Sequence, residues 1–288
     1  MKHSFAYLTA LAAAVVIATT ASAQQGVQRY VRFEQNGTIR WGHLAGETIH
    51  PLTDAPYLGG TMVPGESVAL SSVKLKAPVD PKNSVMTAFN FRSHLGNAEP
   101  AAYPGLFIVP PGGIIGPDEN VIKPIDTNNF HYEAEMVVVI GRRADNISVE
   151  EAGDYIFGVS AGNDGSARDF QAADTQWTRA KGTKYTSAVG PHLVTGLDYS
   201  NLQITGRLNG ERVQGESTSD LLFSMKEMVA FISRYIILEP GDLVWTGTMG
   251  TTRQWPVGQA FEVEVEGVGI LRNVLQEGAP YKGNWKAE

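Results

Sequence analysis

Two glutamates stand two residues apart in the run Phe130-His-Tyr-Glu-Ala-Glu-Met-Val-Val-Val-Ile140. Alternate residues of a strand share a face, so Glu133 and Glu135 are expected side by side, with Val137 and Val139 continuing that face. Ala134, Met136, Val138 and Ile140 make the opposite face equally apolar, as in a strand covered on both sides. Adjacent carboxylates there repel and raise each other's pKa. A divalent cation removes the conflict; a strand end open to solvent tolerates it. The chain has no cysteine, so a metal would be held by oxygen or imidazole, favouring Mg2+ or Mn2+, with Ca2+ also compatible.

Four further clusters carry reactive side chains. In Asn163-Asp-Gly-Ser-Ala-Arg-Asp-Phe-Gln171, Asp164 or Ser166 could cap a helix running to about Gln176, and a start near Asp164 places Arg168 and Gln171 on one face. Asp164 then reads as an ordinary N-cap. In Trp177-Thr-Arg-Ala-Lys181-Gly182, the lysine before a glycine reads as a solvated charge at a helix C-terminus. Asn90-Phe-Arg-Ser-His94 comes just past a strand, and a lone histidine is usually a satisfied polar residue. Pro240-Gly-Asp-Leu-Val-Trp-Thr-Gly-Thr248 is a turn and a strand that breaks at Gly247, where backbone amides could approach a ligand closely.

The elements that must position these groups are mostly strands. Alternation on both sides of Asn36-Gly37 and of Asn209-Gly210 predicts two hairpins. Strands are also expected at 85–89, 132–140, 155–159, 261–265 and 268–274. Ser148-x-x-Glu151 predicts a capping box before a short helix. Leu221, Leu222, Met225, Met228, Val229 and Ile232 recur at helical spacing as a core-facing stripe. The expected class is α+β and β-dominated, with a small β-rich N-terminal domain over 27–76, a catalytic domain over 77–277 and a tail over 278–288.

Lys2, the apolar run Ala10 to Ile17 and the small-x-small site Ala21-Ser22-Ala23 predict a secretory signal peptide, residues 1–23, removed on export to the periplasm or the medium. No later stretch is long and apolar enough to span a bilayer, so no membrane association is expected after cleavage. With 30 acidic against 23 basic residues and no basic cluster, a nucleic-acid partner is not expected.

The clusters gain force from their order. Glu-x-Glu on a strand, Asn-Asp-x-Ser-Ala-Arg-Asp-x-Gln, Arg-Ala-Lys, Gly-Pro, Pro-Gly-Asp and Thr-Gly-Thr together resemble the fumarylacetoacetate hydrolase family over about 78–275. The resemblance implies a mixed β-sandwich roll, a homodimer, and one Mg2+ or Mn2+ per subunit. By position, Glu133, Glu135 and Asp164 match the metal carboxylates, His94 the histidine that activates water, and Lys181 the site lysine. Arg168, Gln171 and Thr248 match residues near the bound substrate. The chain departs from the pattern at three places: Asn97 where smaller members often carry a glutamate, Val109-Pro110 for Lys-Pro, and Met249-Gly-Thr-Thr-Arg253 after Thr-Gly-Thr.

The implied reaction is hydrolytic cleavage of a carbon–carbon bond in an acylpyruvate- or fumarylacetoacetate-like oxo acid. His94 would deprotonate water, Lys181 would stabilise a developing oxyanion, and the cation would stabilise an enolate. The alternative is decarboxylation or dienedioate isomerisation through the same enolate without activated water, which the loss of the glutamate at Asn97 favours. A protein that binds oxo acids without turning them over is a third class.

Overall fold

The computed structural model describes residues 26–283; the expected signal peptide and the end of the expected tail lie outside them. Among the described residues the strand-forming runs assemble into two mixed sheets and a two-stranded one, Phe130–His131 with Ser166–Ala167. The larger mixed sheet has eleven strands. From one edge it runs Val68–Ala69, Thr48–Pro51, Thr38–Ala45, Gln28–Gln35, Ser187–Thr195, Ile156–Asp164, Ala134–Ile140, Leu243–Trp245, Ser84–Ala88 and Gly105–Ile108, with Lys74–Lys76 paired beside Gln28–Gln35. One pair is parallel, Leu243–Trp245 with Ser84–Ala88. The smaller mixed sheet orders Glu211–Ser217, Gln203–Leu208, Ala260–Val265, Gly269–Glu277 and Val121–Lys123. Among the described residues helices are few, and the longest is Met225–Ser233. The architecture is the β-dominated α+β class expected.

Both Asn-Gly hairpins form. Asn36 and Gly37 have φ of 53° and 78°, and Asn209 and Gly210 have 49° and 87°. Both central residues need positive φ if the turn is to match the strand twist. The first hairpin does not stand apart: Gln28–Gln35 pairs with Ser187–Thr195 and so extends the main sheet, while Val31, Phe33, Leu44 and Ile49 form a local core.

Ala134–Ile140 lies inside the main sheet, buried at every position. Ala134, Met136, Val138 and Ile140 pack with Phe261, Val263 and Leu271 of the second sheet. Val137 and Val139 pack the other way, with Met86, Leu193 and Trp245. Each buried Val or Ile of this size contributes roughly 1.5–3 kcal/mol by leaving water, so the strand resists displacement.

Three local expectations are corrected. The strand starts at Ala134 rather than Tyr132, leaving Glu133 immediately before it. Ser148 and Glu151 exchange the expected reciprocal bonds, but the element they lead into is a 3-10 turn, Ala152–Tyr155. Met225, Met228, Val229 and Ile232 are buried along a helix capped by Ser224 and Glu227, whereas Leu221 and Leu222 precede it and Leu221 bridges Phe91.

Candidate metal centre

Glu133 and Glu135 sit at the mouth of the central strand, and the neighbouring strand Ile156–Asp164 delivers Asp164 as its last residue. Asp164 is therefore not a helix cap. The helix begins at Arg168, with Ala167 at its N-cap position and no side-chain cap. Two bonds lock the acids in register: the Glu133 amide donates to Asn163 Oδ1 (3.0 Å), and the Asp164 amide donates to the Glu133 carbonyl (3.0 Å). Gly162 pairs with Glu135, and a Cβ there would lie 2.5 Å from Trp245, so no larger residue fits. One carboxylate oxygen from each of Glu133, Glu135 and Asp164 lies within 4.8 Å of the other two. All three residues are buried, at 3%, 3% and 0% exposure.

Two cations meet these acids. Lys181 is 3% exposed, not the solvated charge its place before a glycine predicts. Its Nζ donates to Glu133 (2.5 Å) and to Asp164 (2.6 Å). Arg168 donates to Glu133, to Gln171 Oε1 (2.8 Å) and to Thr252 Oγ1 (2.9 Å), so Arg168 and Gln171 do share a face. Glu135 accepts from the Gly247 amide (2.8 Å). Gly247 has φ of 82°, and a Cβ there would lie 2.7 Å from the Thr87 carbonyl.

The charges do not balance. Three carboxylates face two cations. Burial raises the Glu133 carboxyl, but Lys181 and Arg168 together outweigh it and hold the group well below the usual range. Burial, with Asp164 and Glu133 adding to it, pushes Glu135 well up. Burial also pushes Asp164 up to about 7, although Lys181 opposes it. In addition Asp164 Oδ1 is buried without any hydrogen-bond partner. A buried polar atom of this kind is costly unless something else completes it. A divalent cation fits: the donors are all hard oxygens, one is free, and two positive charges reverse the deficit.

A cavity of about 380 Å3 opens above the acids. His94, Arg168, Gln171 and Lys181 line it with the three carboxylates. His94 Nδ1 lies 2.7 Å from the Gly250 carbonyl. A carbonyl only accepts, so Nδ1 carries a proton, and in the neutral ring Nε2 presents a lone pair. Thr248, the eighth expected site residue, is not among the lining residues. Its hydroxyl donates to the Ala134 carbonyl (2.9 Å) and accepts from Gln214 Nε2 (2.8 Å). It steadies the start of the acid-bearing strand. Gln214, which also accepts from the Ala134 amide (3.0 Å), is not marked by any sequence pattern. Nor are Phe89, Phe107 and Trp177, which form the cavity's outer wall. Only the positive φ of Phe89, invisible in sequence, sets that wall apart.

Known proteins resemble this chain in sequence and fold. The fumarylacetoacetate (FAA) hydrolase C-terminal family model matches residues 83–276, and the Rv2993c-like N-terminal model matches 28–78. Protein Rv2993c of Mycobacterium tuberculosis is 35% identical over 245 residues, covering 83% of this chain and 92% of that protein. The mitochondrial oxaloacetate tautomerase Fahd2a of Rattus norvegicus is 32% identical over 217 residues, covering 70% and 69%. The crystal structure of 5-carboxymethyl-2-hydroxymuconate delta-isomerase from Mycobacterium smegmatis superposes with a TM-score of 0.82 at 31% identity, covering 86% of this chain and 99% of that one. With the family model matched over most of the chain, and with the buried acid triad in place, the chain belongs to the fumarylacetoacetate hydrolase family.

Proposed function

We propose that this chain is a divalent-metal-dependent enzyme that moves a proton on a small 2-oxo acid, interconverting keto and enol forms. The observation that carries the reading is His94: one ring nitrogen fixed by a backbone carbonyl, the other free as a base at the cavity above the acids. Mg2+ or Mn2+ held by Glu133, Glu135 and Asp164 would anchor a carboxylate and its neighbouring carbonyl and make the adjacent C–H acidic. His94 Nε2 takes the proton from that carbon as its bonding pair becomes the new double bond. The same proton returns to the carbonyl oxygen, or to a more distant carbon in an isomerisation. Lys181, with two of its three N–H groups on carboxylates, keeps a third for negative charge on oxygen. Arg168 fixes Glu133 and Gln171 and so holds the cavity floor.

Hydrolytic carbon–carbon cleavage is the second reading, since the same lone pair could take a proton from water. Among the described residues, however, no carboxylate bonds His94, and Asn97 offers none. A neutral carbonyl stabilises the imidazolium less than a carboxylate does. The relatives above 30% identity named for their activity, a tautomerase and an isomerase, add weight on the same side. The test monitors decay of enol absorbance for oxaloacetate and phenylpyruvate with Mg2+ or Mn2+, alongside pyruvate release from an acylpyruvate. Metal-dependent equilibration of either enol, lost in His94→Gln, supports the proposal. Pyruvate release without enol equilibration would replace it with hydrolysis, and neither activity would overturn both.

A further inference from the structure

The cavity has two unlike halves. Its floor is ionic: three carboxylates, Arg168 and Lys181. The rest of its wall is mainly aromatic and meets the floor where Lys181 Nζ lies 5.5 Å from the Phe107 ring centroid. Phe107 and Trp177 meet edge to face with ring centroids 5.4 Å apart, and Phe89 and Trp177 do the same at 6.1 Å. Phe89 also stacks on His94 at 6.0 Å. Phe89 holds a φ of 57°, a conformation bulky residues rarely adopt, and its side chain is about half exposed. Strain at an exposed aromatic gains nothing for the core, and such outliers gather where a ligand is clamped.

The charges show what this wall does not take. Both cations that line the cavity are bonded to the acids below, with one Lys181 N–H left for the oxo-acid end of a substrate. Arg179, two residues from Trp177, is held by both oxygens of Asp174, and Arg92, two residues from His94, does not line the cavity. Three carboxylates against Arg168 and Lys181 leave one negative charge, and a bound divalent cation turns this into one positive charge. A single substrate carboxylate neutralises it. A second carboxylate directed at Phe89, Phe107 and Trp177 would meet rings in place of the water it leaves, which costs more there than an apolar group does.

Resting on the enolisation reading, we propose that the aromatic half is a subsite for a flat apolar substituent. The substrate class is then a 2-oxo monocarboxylic acid with an aromatic or unsaturated tail, and Trp177 is the residue that sets the preference over dicarboxylic acids. The tail packs against Trp177 while the oxo-acid end meets the floor, and Phe89 closes the side toward His94.

The test is calorimetric binding of phenylpyruvate and of oxaloacetate to the Mg2+- or Mn2+-loaded protein, with enol equilibration rates measured alongside. Phenylpyruvate is expected to bind about tenfold more tightly, the worth of burying part of one ring. Trp177→Ala should weaken phenylpyruvate by about tenfold or more and change oxaloacetate by less than about twofold. Trp177→Phe, which keeps an aromatic wall, should retain most of the preference and guards against a folding defect. Oxaloacetate binding as tightly as phenylpyruvate, or Trp177→Ala weakening both alike, would overturn the proposal. If phenylpyruvate binds with the expected preference but neither enol is accelerated, the subsite stands and the enolisation reading falls. If oxaloacetate alone is turned over, the reverse holds.

Discussion

Replacing a metal ligand should stabilise this protein when no metal is bound. The perturbation is Asp164→Asn. Burial pushes the Asp164 carboxyl from 3.8 up to about 7, so the metal-free fold binds a proton there that the unfolded chain has already released. Stability from this group is present below about pH 4 and is lost as pH rises toward 7. At about 1.4 kcal/mol per pKa step, the rise from 3.8 to about 7 corresponds to roughly 4 kcal/mol by about pH 8, and to somewhat under 2 kcal/mol at about pH 5. Asparagine resembles the protonated acid and escapes this loss. Several histidines add a pH slope of the opposite sign; burial, then the Arg168 charge, lowers His131 to about 4, for example. That slope is common to both proteins and cancels in their difference. Thermal melts in chelator should therefore show Asp164→Asn above the parent, with the gap widening by roughly 3 kcal/mol between about pH 5 and pH 8. For a chain of this size each kcal/mol is about 2–4 °C in Tm, so the gap at the upper pH is roughly 10 °C. Adding Mg2+ or Mn2+ should raise the parent and leave the variant nearly unmoved. A variant that melts below the parent at about pH 8, or a gap that does not grow with pH, would refute the account of a buried, uncompensated acid cluster.

Three other substitutions probe the same site. Glu135→Ala should abolish bound divalent metal by elemental analysis of the purified protein; unchanged metal content would sink the ligand assignment. Gly247→Ala should lower stability by about 2 kcal/mol or more and weaken metal binding, because the added Cβ meets the Thr87 carbonyl at 2.7 Å and displaces the amide that holds Glu135. Chemical denaturation and metal titration check the two effects. Thr248→Val should cost about 1–3 kcal/mol by leaving the Ala134 carbonyl and Gln214 short of partners, yet leave KM within about twofold. A large rise in KM at unchanged stability would return Thr248 to the substrate.

How far a residue's role is legible in the sequence depends on whether its own neighbours or distant ones set that role. The Glu-x-Glu pair is local: period-two geometry alone puts both carboxylates on one buried face, and that face is where they lie. The Asn-Gly hairpins are local too, since the turn demands those residues. Asp164 is not local. Its sequence context, with Gly-Ser-Ala and a helical run after it, is that of an N-cap, and only pairing with Ser187 and the Glu133 carbonyl makes it a strand end. Lys181 misleads for the same reason: a helix C-terminus before glycine usually faces water, but here the turn of chain is pressed against acids from two other strands. Order along the chain supplies the missing link, because a resemblance encodes the tertiary neighbours that periodicity cannot. It does not convey that the Thr248 hydroxyl is used on the Ala134 carbonyl, behind the residues that line the cavity. It also passes over Phe89, Phe107 and Trp177, three aromatics on separate elements with no spacing in common. The residues that choose a substrate here are those with no chain pattern to share, and they become a set only when the fold closes them over the acids.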